Sequence, residues 1–252
     1  MRPLVVANWK MHVTPPQAEA FVQDFLAQDP APLQAANVVL CPAAPVIGTV
    51  AQVCAGSPVR WGAQNAYWEA RGQFTGEVSM EMLRALGCAY VLCGHSERRA
   101  HFGETDQDVS RKVQQAVANG IEPILCVGET FAQRQQQIHE VTVSEQVRKG
   151  VDLLSAFPQK KFTIAYEPVW SVGTGHPIEP EQAWAMARLI HQTLREEMPD
   201  TADTVPIIYG GSVKPDNAKS FVDGKHLVGV LVGSASLDPK ALYEIITQLT
   251  TK

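Results

Sequence analysis

The sequence has few of the patterns that mark metal, redox or nucleic-acid chemistry. Its seven histidines form neither an HxH nor an HExxH pair, so the spacing does not favour a metal site. Its five cysteines form no CxxC pair, and an odd count without a framework favours reduced thiols in a cytoplasmic protein. Acidic residues outnumber basic residues by 26 to 21, and the net charge of −5 argues against non-specific binding to nucleic acid.

Long apolar runs and nucleotide-binding loops are also missing. The apolar run at residues 4–9 becomes polar too soon for a signal sequence or a membrane span. There is no P-loop or Ser-centred elbow, and no G-x-G-x-x-G follows the first apolar run. We therefore expect a cytoplasmic protein that binds neither membranes nor nucleic acid.

What the sequence does contain is a repeated unit. Helical spacing, as in 18–28 and 181–197, separates eight short apolar runs at residues 4–9, 37–41, 59–64, 89–94, 121–128, 162–167, 205–210 and 227–233. Continuous apolar runs are typical of parallel strands that are buried on both faces. Eight such units in 252 residues predict an α/β fold of one domain, a (β/α)8 barrel of eight parallel strands ringed by helices. An open doubly wound sheet is the alternative, which the number of units disfavours.

Polar side chains follow several of the predicted strands. The carboxyl ends of all strands meet at one mouth of such a barrel, so we expect a shared site that contains Asn8, Lys10, His95, Glu97 and Glu167. The residues after His95 open a predicted helix, whose N-terminus disfavours an imidazolium, so His95 should be a neutral hydrogen-bond donor. We expect Glu97 to pair with Lys10.

Two glycine–serine turns follow the seventh and eighth predicted strands, at 210–212 and 233–234. Each alone is explained by a tight turn between strand and helix. Because strands 7 and 8 are neighbours in a closed barrel, the two turns together predict a phosphate site made by backbone N–H groups.

The predicted site combines a carboxylate, a neutral histidine, a lysine and a phosphate cradle. This set suits removal of a proton next to a carbonyl, because the histidine and lysine can stabilise an enolate oxygen. An aldolase or epimerase would need a Schiff-base lysine or a metal set, and the sequence indicates neither. A barrel kept as a binding or adhesion module predicts loss of Glu167, His95 or Lys10, which are all present.

Motifs along the whole chain resemble the triosephosphate isomerase family. They are ANWKM (7–11), GAQNAY (62–67), TGEVS (75–79), GHSERR (94–99), CVGET (126–130), AYEPVWSVGTG (165–175), YGGSV (209–213) and VGSASL (232–237). The resemblance implies a cofactor-free isomerase of glycolysis and gluconeogenesis. Such an enzyme interconverts dihydroxyacetone phosphate and D-glyceraldehyde 3-phosphate through an enediolate.

The resemblance also implies individual roles. In that family a glutamate is the base and a neutral histidine the electrophile, which here are Glu167 and His95. Lys10 would supply positive charge and Asn8 would orient the substrate. The implied phosphate contacts are Gly173, Ser212, Gly233 and Ser234.

Two loops of the family have counterparts in this chain. Residues 168–178 resemble a mobile lid that Tyr209 helps to close, and residues 64–79 resemble a loop that enters the site of the second subunit of a homodimer. Thr75 matches the tip of that dimerisation loop. Its aromatic residues Tyr67, Trp68 and Phe74 are unfavourable on the surface of a monomer, which also favours a dimer.

The chain departs from the family pattern at three positions near the lid and the phosphate site. Pro177 follows His176 where the family often has Lys-Thr-Ala, and its fixed φ should stiffen the second hinge. Ser171 replaces a common alanine. Ser234 replaces a frequent glycine, which would cost about 1 kcal/mol if that position needs a positive φ.

Overall fold

The computed structural model describes residues 2–157, 161–173 and 177–251. Eight parallel strands form a closed barrel in the order β1 to β8, and β1 pairs with both β2 and β8. The strands are β1 (Leu4–Asn8), β2 (Asn37–Cys41), β3 (Arg60–Ala63), β4 (Tyr90–Cys93), β5 (Glu122–Val127), β6 (Thr163–Tyr166), β7 (Ile207–Tyr209) and β8 (Gly229–Val232). The predicted (β/α)8 barrel is therefore confirmed, and the open sheet is wrong.

Helices connect the strands and surround the barrel. In the described residues these are α1 (Pro15–Leu26), α2 (Pro30–Ala35), α3 (Ile47–Cys54), α4 (Met80–Ala85), α5 (Ser96–Phe102), α6 (Asp106–Ala118), α7 (Phe131–Gln135), α8 (His139–Val151), α9 (Pro180–Glu197), α10 (Ala218–Phe221) and α11 (Pro239–Thr250). Their apolar stripes face the barrel, as in α1, where Phe21, Val22 and Phe25 are buried at helical spacing. None of these helices is long and apolar enough to span a membrane.

The strands divide the apolar core into two layers. In β1, Leu4 and Val6 belong to a cluster inside the barrel, whereas Val5 and Ala7 belong to the larger cluster shared with the helices. Side chains alternate between the two faces of a strand, so both faces of the sheet are buried. This explains why the strands read as continuous apolar runs.

Most strands are shorter than predicted. The sixth run was expected to include Glu167, and the seventh to span 205–210, but the strands end at Tyr166 and Tyr209. The apolar run continues past the last paired residue because the first residues of each loop are still buried. Trp9, for example, is fully buried although it follows β1.

All five cysteines are buried and none forms a disulfide. Burial raises the pKa of the Cys54 and Cys88 thiols to about 12. Since the thiolate is the reactive form, these two side chains are unreactive packing groups at neutral pH.

Candidate active site

A cavity of about 440 Å³ opens at the mouth formed by the carboxyl ends of the strands. Polar side chains, glycines and a few apolar residues line it together. They are Asn8, Lys10, His12, His95, Glu167, Val172, Gly173, Gly210, Gly211, Ser212, Val213, Lys214, Leu231, Gly233, Ser234 and Leu237. The barrel thus brings together residues that lie more than two hundred positions apart in the chain.

Glu167 enters this cavity directly after β6. Its backbone N–H donates to the carbonyl of Val127 at 2.8 Å, and its Oε2 accepts from the Ser96 N–H at the start of α5 at 3.1 Å. The residue is only 1% exposed. Among the described residues Oε1 has no hydrogen-bond partner, and His95 Nε2 lies 3.5 Å away from it. One carboxylate oxygen is therefore anchored, while the other stays available to a ligand.

Two glycines leave room for Glu167. A Cβ at Gly128 would lie 1.7 Å from the Glu167 carbonyl oxygen, and one at Gly210 would lie 2.7 Å from its Cγ. Contacts this short exclude any side chain larger than hydrogen. The backbones of the neighbouring loops thus approach Glu167 from both sides and restrict its position.

His95 is the N-cap of α5, and its ring has a defined tautomer. Nδ1 accepts the Glu97 backbone N–H at 3.2 Å, so the ring proton is on Nε2. The neighbouring nitrogen of the Asn8 amide, 3.2 Å from Nε2, cannot accept that proton. Nε2–H is therefore free to donate to an oxygen in the cavity.

Lys10 has an unusual backbone conformation that aims its side chain across the mouth. Its φ is +51°, in the left-handed region that costs a non-glycine residue about 1 kcal/mol. The Asn8 side chain accepts its N–H at 3.1 Å, and the Gln64 amide donates to its carbonyl at 2.8 Å. These hydrogen bonds offset the strain and hold the turn.

The Lys10 ammonium lies 2.6 Å from Glu97 Oε1. Partial burial alone would raise the pKa of Glu97, but the hydrogen bond and charge of Lys10 outweigh burial and lower that pKa. The carboxylate therefore stays ionised at neutral pH and holds the ammonium at the mouth.

The two glycine–serine turns lie side by side, as the barrel order requires. Ser212 is buried after β7, and Gly233 and Ser234 follow β8. The Trp9 indole N–H donates to the Ser236 carbonyl at 3.1 Å and so fastens the second turn to β1. Among the described non-glycine residues only Lys10 and Gln137 have positive φ, so Ser234 does not have the backbone angle that would have strained it.

The first turn of the 168–178 segment is fastened by Glu129, which is fully buried. Glu129 Oε1 accepts the Trp170 indole N–H at 3.0 Å, its carbonyl accepts the Val169 N–H at 3.0 Å, and the Tyr166 hydroxyl lies 3.2 Å from Oε2. In the sequence Glu129 belongs to the motif CVGET (126–130), which by itself indicates no role for this carboxylate. Its contacts form where the loop after β5 meets the loop after β6, and no local sequence pattern predicts that meeting.

The same 168–178 segment also contributes Gly173 to the cavity lining and places Ser171 and Ile178 beside Tyr209. Gly173 has a φ of +71° and lines the cavity. Burial raises the pKa of Tyr209, and the neighbouring Ser171 side chain and Ile178 backbone limit that rise. His176, named in the second hinge, lies outside the described residues, as do 174 and 175.

The structure also separates the expected site residues into groups. Eight of them line the cavity: Asn8, Lys10, His95, Glu167, Gly173, Ser212, Gly233 and Ser234. Glu97 contacts Lys10 from outside, and Thr75 lies on the exposed loop 64–79 rather than in this cavity. Sequence reasoning missed His12, Lys214 and the N–H of Ser96. His12 and Lys214 lie four and five residues past the ends of β1 and β7, beyond the residues that directly follow a strand.

The arrangement can remove a proton from carbon and stabilise the resulting negative charge. Glu167 supplies an available carboxylate oxygen, and His95 supplies a hydrogen-bond donor close to it. Lys10 adds a positive charge at the same mouth. Within the described ranges no three His, Cys, Asp or Glu side chains are grouped so as to hold a metal ion.

The comparisons with known proteins point to one family over nearly the whole chain. The family model described as "Triosephosphate isomerase" matches residues 3–249. Three similar proteins, each named triosephosphate isomerase, come from Herpetosiphon aurantiacus (43% identical over 250 residues), Chloroflexus aurantiacus (44% over 245) and Carboxydothermus hydrogenoformans (41% over 246). Each match covers 97% of this chain and 98% of the relative.

Replacing Gly128 by alanine tests the contact that positions Glu167. We expect Gly128→Ala to lower the free energy of unfolding by about 3 kcal/mol or more, because the new methyl group meets backbone that cannot move aside. Gly48→Ala is the matched control, since a Cβ at Gly48 meets nothing within 4 Å. Urea unfolding of both variants measures the effect, and equal stabilities would contradict the close approach.

Proposed function

Because the chain belongs to the triosephosphate isomerase family, we propose that Glu167, His95 and Lys10 are the groups with which it interconverts dihydroxyacetone phosphate and D-glyceraldehyde 3-phosphate. The observation that carries this proposal is the anchored Glu167. One of its oxygens is held by Ser96, and the other lies at the cavity, 3.5 Å from His95 Nε2.

The proton moves between two carbons of the substrate. Glu167 removes a proton from C1 of dihydroxyacetone phosphate, and the C–H electron pair becomes the C1–C2 double bond of an enediolate. The carbonyl oxygen takes up negative charge, which His95 Nε2–H and the Lys10 ammonium stabilise. Glu167 then returns the proton to C2, and proton transfer between the two oxygens completes the aldehyde. No proton or electron is gained or lost overall.

The phosphate group is proposed to bind at the other side of the cavity. Backbone N–H groups at Gly173, Gly233 and Ser234 and the Ser212 turn would surround it. Asn8 would orient the substrate between this cradle and His95. Held at the phosphate, the substrate would present its reacting carbons to Glu167.

We propose that residues 168–178 close over the bound substrate, as the lid of triosephosphate isomerase does. The Glu129–Trp170 contact supports this role, because it holds one end of the segment to the barrel. Tyr209 beside Ile178 would fix the other end on closure. Closure excludes water, which protects the enediolate from loss of phosphate.

We further propose a homodimer in which loop 64–79 of one subunit enters the mouth of the other. A second cavity of about 450 Å³ lies beside the first and shares Asn8, Lys10 and His95 with it. Met11 and Phe102 line this second cavity and are 91% and 70% exposed. Such exposure of large apolar side chains next to a catalytic mouth favours coverage by a partner.

Aromatic packing within loop 64–79 supports its proposed role in the dimer. Tyr67 stacks on Trp68 with ring centroids 4.1 Å apart, and the Phe74 ring packs against Tyr67 in a tilted orientation at 4.6 Å. This cluster supports the loop from within, so that its tip at Thr75 is presented to solvent in the single subunit.

We also propose that the barrel is the single domain of residues 1–252, and that it acts in the cytoplasm, which the reduced cysteines support.

Shortening the proposed base tests the mechanism. We expect Glu167→Asp to lower kcat about 100-fold with little change in KM, because the carboxylate would stop about 1 Å short of the proton. Coupled assays in both directions measure this, with the exposed Glu140→Asp as control. An unchanged kcat for Glu167→Asp would remove Glu167 from its role.

Introducing a charge at the loop tip tests the dimer. We expect Thr75→Arg to shift the protein from dimer to monomer in sedimentation velocity. The guanidinium would be buried at the mouth of the second subunit without a carboxylate to pair with. Turnover should fall with dimer content. Gln136→Arg, on an exposed turn that follows α7, controls for the added charge. A wild-type monomer that is fully active would contradict the proposed homodimer.

A further inference from the structure

Lys10 and Glu167 place one positive and one negative charge in the lining of the catalytic cavity. Lys10 is paired with Glu97 at 2.6 Å, and Glu167 contributes a buried carboxylate. The substrate nevertheless carries a phosphate dianion, and the whole chain has a net charge of −5. A positive charge without a carboxylate partner would therefore add to the attraction that Lys10 provides.

Lys214 supplies a positive charge of this kind. It lines the cavity, and among the described residues it forms no ion pair with a carboxylate. His12, the other basic residue that lines the cavity but has no assigned role, carries charge only when protonated. Of the two lysines that line the cavity in the described residues, Lys214 is thus the one without a carboxylate partner.

The backbone of Lys214 is held next to the phosphate cradle by Asn217. The Asn217 amide nitrogen donates to the Ser212 carbonyl at 3.0 Å, and its oxygen accepts the Lys214 N–H at 2.8 Å. One side chain thereby bridges the cradle turn and the lysine two residues beyond it. Lys214 is exposed, so that its ammonium can swing over the rim of the cavity.

We propose that Lys214 captures the phosphate dianion of the triose phosphate and determines affinity for it without taking part in the proton transfer. This inference rests on the proposed function, since it names a further group for the same substrate. An exposed charge near the rim attracts the dianion over a distance and is screened by salt. Its contribution should consequently appear in KM rather than in kcat.

The test replaces the charge without changing the length of the side chain greatly. We expect Lys214→Gln to raise KM about 3- to 10-fold at low ionic strength, with kcat within about twofold of wild type. Lys214→Arg should restore most of the affinity. Lys225→Gln is the matched control, because Lys225 precedes β8 and so lies at the opposite end of the barrel.

Salt dependence and a simple anion provide two further readouts. The dependence of kcat/KM on ionic strength should become shallower in Lys214→Gln, and competitive inhibition by inorganic phosphate should weaken by a similar factor. If Lys214→Gln matched Lys225→Gln in all three measurements while wild type turned over normally, the inference would be overturned. Absence of turnover in folded wild type would instead overturn the proposed function.

Discussion

The position of the Glu167 carboxylate is the constraint on which the rest of the site depends. Its backbone is fixed by the Val127 carbonyl and by the close approach of Gly128, and its Oε2 is fixed by the Ser96 N–H. These partners come from β5, from the loop after it and from the start of α5. They meet only because the strands form a closed barrel, so the large apolar core sets the geometry of a single carboxylate.

Neighbouring groups are likewise held by hydrogen bonds, either from the start of the same helix or from the side chain of another loop. The Glu97 N–H sets the tautomer of His95, and the Gln64 amide holds the strained turn at Lys10. Glu129 holds Trp170 at the start of the proposed lid. Such interlocking restricts motion in the site before the substrate arrives, which is the condition for efficient positioning of reacting groups.

Sequence reasoning reached the barrel and most of the cavity lining because both depend on local patterns. Apolar runs mark the strands, and polar residues just after them must lie at one mouth. It did not reach contacts that depend on how two loops meet, such as Glu129 with Trp170 or Ser96 with Glu167. The backbone angle at Ser234 was likewise beyond it, because a serine is compatible with either sign of φ. Lys214 lies five residues past β7, where the strand pattern no longer indicates which side chains face the mouth.

Solvent exchange during turnover is the measurement that tests the central claim most directly. In deuterated buffer containing EDTA, proton NMR of wild type should show deuterium entering the carbon-bound position of the product, because the proton is held on Glu167 between the two transfers. Glu167→Gln should show neither isomerisation nor exchange. Exchange at the wild-type rate in Glu167→Gln would contradict the account, since another group would then be the base.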